Sequence, residues 1–147
     1  MTSVNVYLTF KGNCEEAFHF YKSVFGGTFS SVNTFGEMPS GDDMPPMPES
    51  EKDKIMHISL PISKETCLMG SDSSEAFGQV TTMGNNFSIS IQTDTEKEAD
   101  RLFDALSKGG SATMPMNKTF WGAYFGMLTD KFGINWMVNV NLSGKNQ

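Results

Sequence analysis

From Val4 to Phe10 the apolar residues Val4, Val6, Leu8 and Phe10 alternate with Asn5, Tyr7 and Thr9, the period-two pattern of a strand with one face in a core. The period then changes. Asn13-Cys14-Glu15-Glu16 offers an N-cap and a carboxylate three residues on, ahead of Ala17, Phe20, Tyr21, Val24 and Phe25 at helical spacing. Gly26-Gly27 should end that helix, because glycine enters the left-handed region at little cost. Thr28 to Phe35 reads as a second strand. Residues 37–53 then break the pattern with four prolines and three methionines, and are expected to form a long loop that is either a lid, an arm over a partner subunit, or disordered. Residues 54–62 and 65–70 are short apolar runs separated by Ser63-Lys64, close enough for a hairpin.

A polar, turn-rich stretch from Asp72 to Gly84 precedes a second round of the same signals. Phe87, Ile89 and Ile91 alternate with Ser88, Ser90 and Gln92, the clearest strand in the chain. Thr95-Glu96-Lys97-Glu98 forms a capping box before Ala99, Leu102, Phe103 and Leu106, and Gly109-Gly110 closes the helix. Strands are expected at Ser111 to Met116, Tyr124 to Thr129 and Asn135 to Leu142. Asn13 aligns with Thr95, Glu16 with Glu98, and Gly26-Gly27 with Gly109-Gly110, at a near-constant offset. The economical reading is one α+β unit of order βαβββ written twice, over about 4–72 and 86–142, the two units burying their bare sheet faces jointly around a cup.

The 147 residues, 38% hydrophobic, suffice for one compact domain or two half-domains. Eleven Lys and Arg against seventeen Asp and Glu give a net charge of -6 without a basic patch, which argues against a nucleic-acid partner. No run of 18 apolar residues occurs, and the N-terminus lacks a basic and apolar leader, so neither a membrane-spanning nor an exported protein is expected. Cys14 and Cys67 are widely spaced, which suits reduced thiols in a cytoplasmic protein. No phosphate-binding loop, CxxC, HExxH or Ser-His-Asp pattern is present.

Several separate motifs occur in a telling order. Tyr7-Leu8-Thr9-Phe10-Lys11-Gly12-Asn13 with Glu16-Ala17 and Phe20-Tyr21 comes first, then Phe35-Gly36-Glu37-Met38-Pro39. Thr119-Phe120-Trp121-Gly122, Phe125-Gly126 and Asp130-Lys131-Phe132-Gly133 before Trp136 complete the set. Over about Val4 to Val140 the chain resembles the PhnB-like branch of the vicinal oxygen chelate superfamily, which includes glyoxalases, bleomycin-resistance proteins and ring-cleaving dioxygenases. The resemblance implies paired βαβββ modules forming a cupped, mostly antiparallel sheet, a homodimer, and a small-molecule ligand in the cup. Enzymes of the superfamily hold a divalent metal there with His or Glu. The corresponding positions in this chain are Asn5 or Val6, Asn86 or Phe87, and Met137, none of which is an imidazole or carboxylate. No metal and no other cofactor is therefore expected. Members of the branch are often labelled 3-demethylubiquinone methyltransferases, but the chain has no Gly-rich strand-to-helix motif to hold a methyl donor.

Within this frame the candidate ligand-binding residues are His57, Glu37, Ser71, Asp72, Trp121 and Tyr124. His19 falls among Glu15, Glu16, Lys22 and Ser23 on the polar side of the first helix and reads as solvated. His57 shares a strand face with Ile55 and Ser59; if that face looks into the cup it could act as a base or polar anchor near neutral pH, and otherwise it is a hydrogen-bonded sheet histidine. Glu37 and Ser71-Asp72 lie at strand ends, where polar groups approach a ligand or simply cap a turn. Phe120-Trp121-Gly122-Ala123-Tyr124-Phe125 is either the aromatic wall of a pocket or the core of a hairpin. Trp136 is expected to pack. The functional expectation is a small-molecule-binding protein without the usual catalytic metal; the alternative is an enzyme, a lyase, dioxygenase or relative, acting on a small metabolite in the same cup.

Overall fold

In the computed structural model, which describes residues 2–38 and 47–142, the chain divides into two compact units, Met1–Thr82 and Met83–Gln147. The first contains β1 (Val6–Phe10), α1 (Cys14–Phe25), β2 (Ser31–Thr34), β3 (Ile55–Pro61) and β4 (Cys67–Asp72). The second contains β5 (Ile89–Gln92), α2 (Glu96–Ser107), β6 (Ser111–Lys118), β7 (Ala123–Thr129) and β8 (Asn135–Asn141). Both sheets have one strand order, β1-β4-β3-β2 and β5-β8-β7-β6. In each, the first strand pairs parallel with the last and the other pairings are antiparallel. The expected βαβββ order thus appears in both halves. Residues 39–46 of the expected lid or arm lie outside the described residues.

Strand alternation sorts each sheet into a face packed under its helix and a distal face. In the first unit Leu8, Phe10, Ile58, Leu60 and Leu68 are buried with Ala17, Phe18, Tyr21 and Val24 of α1. Gly70 lets the Phe18 ring lie on the sheet: a Cβ there would stand 2.7 Å from both Phe18 Cε1 and the Leu8 carbonyl oxygen. In the second unit Leu128, Trp136, Val138 and Val140 are buried with Ala99, Leu102, Phe103 and Leu106 of α2.

Three local expectations are corrected. The Asn13 side chain makes no capping bond; Asp72, 58 residues beyond Cys14, accepts from the Gly12 and Cys14 backbone N–H groups at 2.8 and 3.0 Å instead. In the second unit the capping box does form on the Thr95 side, its hydroxyl accepting from Glu98 N–H at 3.1 Å. The strand expected from Thr28 to Phe35 covers only Ser31–Thr34, and at its C-terminal end Phe35 turns into a short 3-10 segment, Phe35–Glu37. Finally, Ile55 does not share the His57 face. The β2–β3 register pairs Asn33 with His57 and Thr34 with Ile55, so a bulge at Met56 shifts the alternation and Ile55 is fully buried.

Candidate functional site

The distal face of the first sheet carries Tyr7 and Thr9 from β1, Met69 and Ser71 from β4, His57 and Ser59 from β3, and Ser31 and Asn33 from β2. Their partners define the rows. Tyr7 pairs with Met69, Met69 with Ser59 and Ser59 with Ser31. In the next row Thr9 pairs with Ser71, and Asn33 with His57. Continuing the antiparallel β3–β4 ladder from Ile58–Gly70 brings His57 beside Ser71. The His57 ring lies 5.9 Å from that of Tyr7, which is 50% exposed. At the sheet edge Asn33 Nδ2 donates to Glu37 Oε2 at 3.2 Å, fixing the carboxylate to the end of the His57 row. His57, Ser71 and Glu37 are thus brought to one face by three strands and the turn after β2.

Asp72, the next residue, points the other way. It is 3% exposed, and besides its two contacts with the start of α1 its Oδ2 accepts from Ile55 N–H at 2.9 Å. These bonds tie α1 and β3 to the end of β4, so its work is structural. The nearby Cys14 thiol is pushed well up, chiefly by burial and then by the Asp72 and Glu15 charges, and stays protonated. Sequence reasoning missed this role because the partners lie 60, 58 and 17 residues away.

On the second sheet the distal face carries Ser90 and Gln92 from β5, Met137, Asn139 and Asn141 from β8, and Phe125 and Met127 from β7, as the pairings Ser90–Met137, Gln92–Asn139, Met127–Met137 and Phe125–Asn139 require. Asn139 Nδ2 donates to Gln92 Oε1 at 2.7 Å and to Asn141 Oδ1 at 3.1 Å, a carboxamide ladder that the strand pattern contained but sequence reasoning did not single out. Trp121, 53% exposed, stands 6.2 Å from the Phe125 ring and 5.0 Å from Phe120, which is itself almost wholly exposed. Trp136 packs as expected, with its indole N–H donating to buried Asp130 at 2.9 Å.

Tyr124 faces α2. Its hydroxyl donates to Asp100 Oδ1 at 2.6 Å, and that hydrogen bond, with burial and the neighbouring Glu96 and Asp104 charges, holds the phenol pushed up to about 12. It is thereby turned from the ring wall with which the sequence grouped it. His19 is exposed, edge-on to Phe29 at 5.3 Å. A separate cavity of about 100 Å³ in the first unit is lined by Lys11, Lys54, Ser73, Glu75 and Gln79, and Lys54 there is paired with Glu51 at 2.8 Å.

The three positions at which the superfamily resemblance implies metal ligands carry poor donors. Met137 offers only a thioether and is flanked on its own face by Ser90 and Met127, while Asn5, Val6, Asn86 and Phe87 supply no imidazole, carboxylate or thiolate. Among the described residues no three His, Cys, Asp or Glu side chains converge in a metal-holding group. A divalent ion does not fit these positions.

A family model described as 3-demethylubiquinone-9 3-methyltransferase matches residues 2–139. The chain belongs to that family. Among relatives of this PhnB-like branch, protein YjdN of Escherichia coli (strain K12) is 32% identical over 139 residues, covering 91% of this chain and 92% of its own. The crystal structure of protein PA1353 from Pseudomonas aeruginosa is 42% identical, covers 96% of this chain and 98% of that one, and superposes with a TM-score of 0.81. A putative 3-demethylubiquinone-9 3-methyltransferase, PhnB protein, from Bacillus cereus is 25% identical over 95% of this chain and 99% of its own, with a TM-score of 0.73. The wider fold is that of the glyoxalase/bleomycin-resistance proteins: such a domain from Frankia sp. EAN1pec, 12% identical, covers 99% of this chain and 96% of its own at a TM-score of 0.66. No helix among the described residues is long and apolar enough to cross a membrane.

Proposed function

We propose that this member of the family binds a small organic molecule on a distal sheet face of one of its units, without a divalent metal at the positions where the superfamily resemblance implies one. One observation carries the reading. Opposite each helix-packed apolar face, the alternate side chains are rings, thioethers, hydroxyls and carboxamides, several of them half-buried, which is the composition of a ligand wall. Methyl transfer, the activity in the family's name, finds little support in these residues. The turn from β1 to α1 holds a single glycine, Gly12, and the N–H groups of Gly12 and Cys14 are already taken by Asp72, so the helix start does not offer them to a donor's anionic group. Elemental analysis of the purified protein, with native mass spectrometry for co-purifying molecules, tests the proposal. A small organic ligand and substoichiometric metal are expected; a tightly held stoichiometric divalent ion would overturn the metal-free part.

A second reading is favoured by the His57–Ser71 row, with Glu37 at its end and Tyr7 beside the imidazole: acid–base catalysis on the first sheet's distal face. Once a turnover is found, His57→Gln decides it. Retention of full turnover by that variant would remove His57 as the base.

A further inference from the structure

The second sheet's distal face specifies a ligand more narrowly, and the argument rests on the binding function proposed above. Along β5, β7 and β8 the side chains on that face are Ser90, Gln92, Ala123, Phe125, Met127, Thr129, Asn135, Met137, Asn139 and Asn141: none carries a charge. An anionic ligand would have to give up hydration there without a cation to replace it, which is costly for a carboxylate or phosphate. The ladder is instead matched to a neutral group. Both hydrogens of Asn139 Nδ2 are committed to Gln92 and Asn141. That leaves Asn139 Oδ1 as an acceptor and Gln92 Nε2 as a donor, since a carboxamide has two donor hydrogens and an acceptor oxygen. Trp121 and Phe125, 6.2 Å apart and inclined at 62°, supply ring surface next to this edge.

We infer that this face takes an uncharged planar ring bearing an amide-like edge, one donor beside one acceptor, with the edge on Gln92 and Asn139 and the ring against Trp121 and Phe125.

The test uses the full chain, isotopically labelled, titrated with benzamide and separately with its isosteric anion benzoate, following the Gln92 and Asn139 side-chain amides and the two indole N–H signals by NMR. Benzamide is expected to shift Gln92, Asn139 and Trp121 while leaving Trp136, buried on the helix side, unmoved. Benzoate should bind at least tenfold more weakly at the same groups. Asn139→Asp should abolish the benzamide shifts and Asn139→Gln should retain part of them. Equal or stronger binding of benzoate on this face would overturn the neutral-ligand inference while leaving the face as a binding site. Benzamide shifts confined to His57 and Ser71 would overturn the inference and keep the broader binding function, whereas an absence of shifts on either sheet's distal face would count against both.

Discussion

The carboxylate of Asp72 is a point at which the first unit depends on a single side chain. It accepts three backbone N–H bonds: Gly12 at 2.8 Å, Cys14 at 3.0 Å and Ile55 at 2.9 Å. Asp72→Ala leaves all three donors without this partner. Gly12 is exposed and can turn to water, but Cys14 and Ile55 are fully buried. An orphaned buried N–H costs about 1–3 kcal/mol, so the substitution should destabilise the unit by roughly 2–6 kcal/mol. Asp72→Asn keeps one acceptor oxygen for the start of α1 and turns an NH2 toward Ile55 N–H; with one bond lost, about 1–3 kcal/mol is expected. Ser71→Ala, one residue away on the other face, should leave stability within about 0.5 kcal/mol. Trp121 and Trp136 both lie in the second unit, so tryptophan fluorescence does not read the first unit directly. Native-state amide exchange at Leu8, Ile58 and Leu68 does. An Asp72→Ala protein whose protection at those amides matches that of the parent would refute the claim that this carboxylate holds α1 and β3 together.

Other outcomes follow from single contacts. Gly70→Ala places a methyl 2.7 Å from Phe18 Cε1 and the Leu8 carbonyl, and should cost about 1–3 kcal/mol in urea unfolding, whereas an unchanged midpoint would mean the sheet yields there freely. Thr95→Ala should lose about 1 kcal/mol through its cap, while Asn13→Ala, whose side chain caps nothing, should lose far less in the same assay. Tyr124 titrates at about 12 when folded against an ordinary 10.0, so its contribution to stability is complete below pH 10.0 and disappears as pH rises through about 12. Melting temperatures followed across that window should fall more steeply for the parent than for Tyr124→Phe; parallel curves would remove the Asp100 bond as the cause. Trp121→Ala should weaken any ligand of the second sheet without changing the melting temperature by more than about 2 °C, since a half-exposed ring adds little to a core.

Local information was enough for the elements. Period-two runs such as Ile89–Gln92, the Thr95 cap and the glycines after each helix act within a few residues, and their recurrence at a near-constant offset reveals the double βαβββ order without any long-range contact. The same holds for His57, Ser71 and Glu37 as strand-end and strand-face polar residues. Their assembly was not legible, because it depends on register between strands far apart in the chain: the bulge at Met56 alone moves Ile55 from the His57 face into the core. Asp72 and Tyr124 looked like ligand contacts in the sequence, yet long-range hydrogen bonds turn one toward α1 and β3 and the other toward Asp100. The Gln92–Asn139–Asn141 ladder joins residues up to 49 positions apart and exists only because β5 runs beside β8. Sequence thus determined what each segment becomes, through local sterics and periodicity, while tertiary structure decided which polar side chains stand on the distal sheet faces and which hold the fold, because only strand pairing and helix docking fix the direction in which they point.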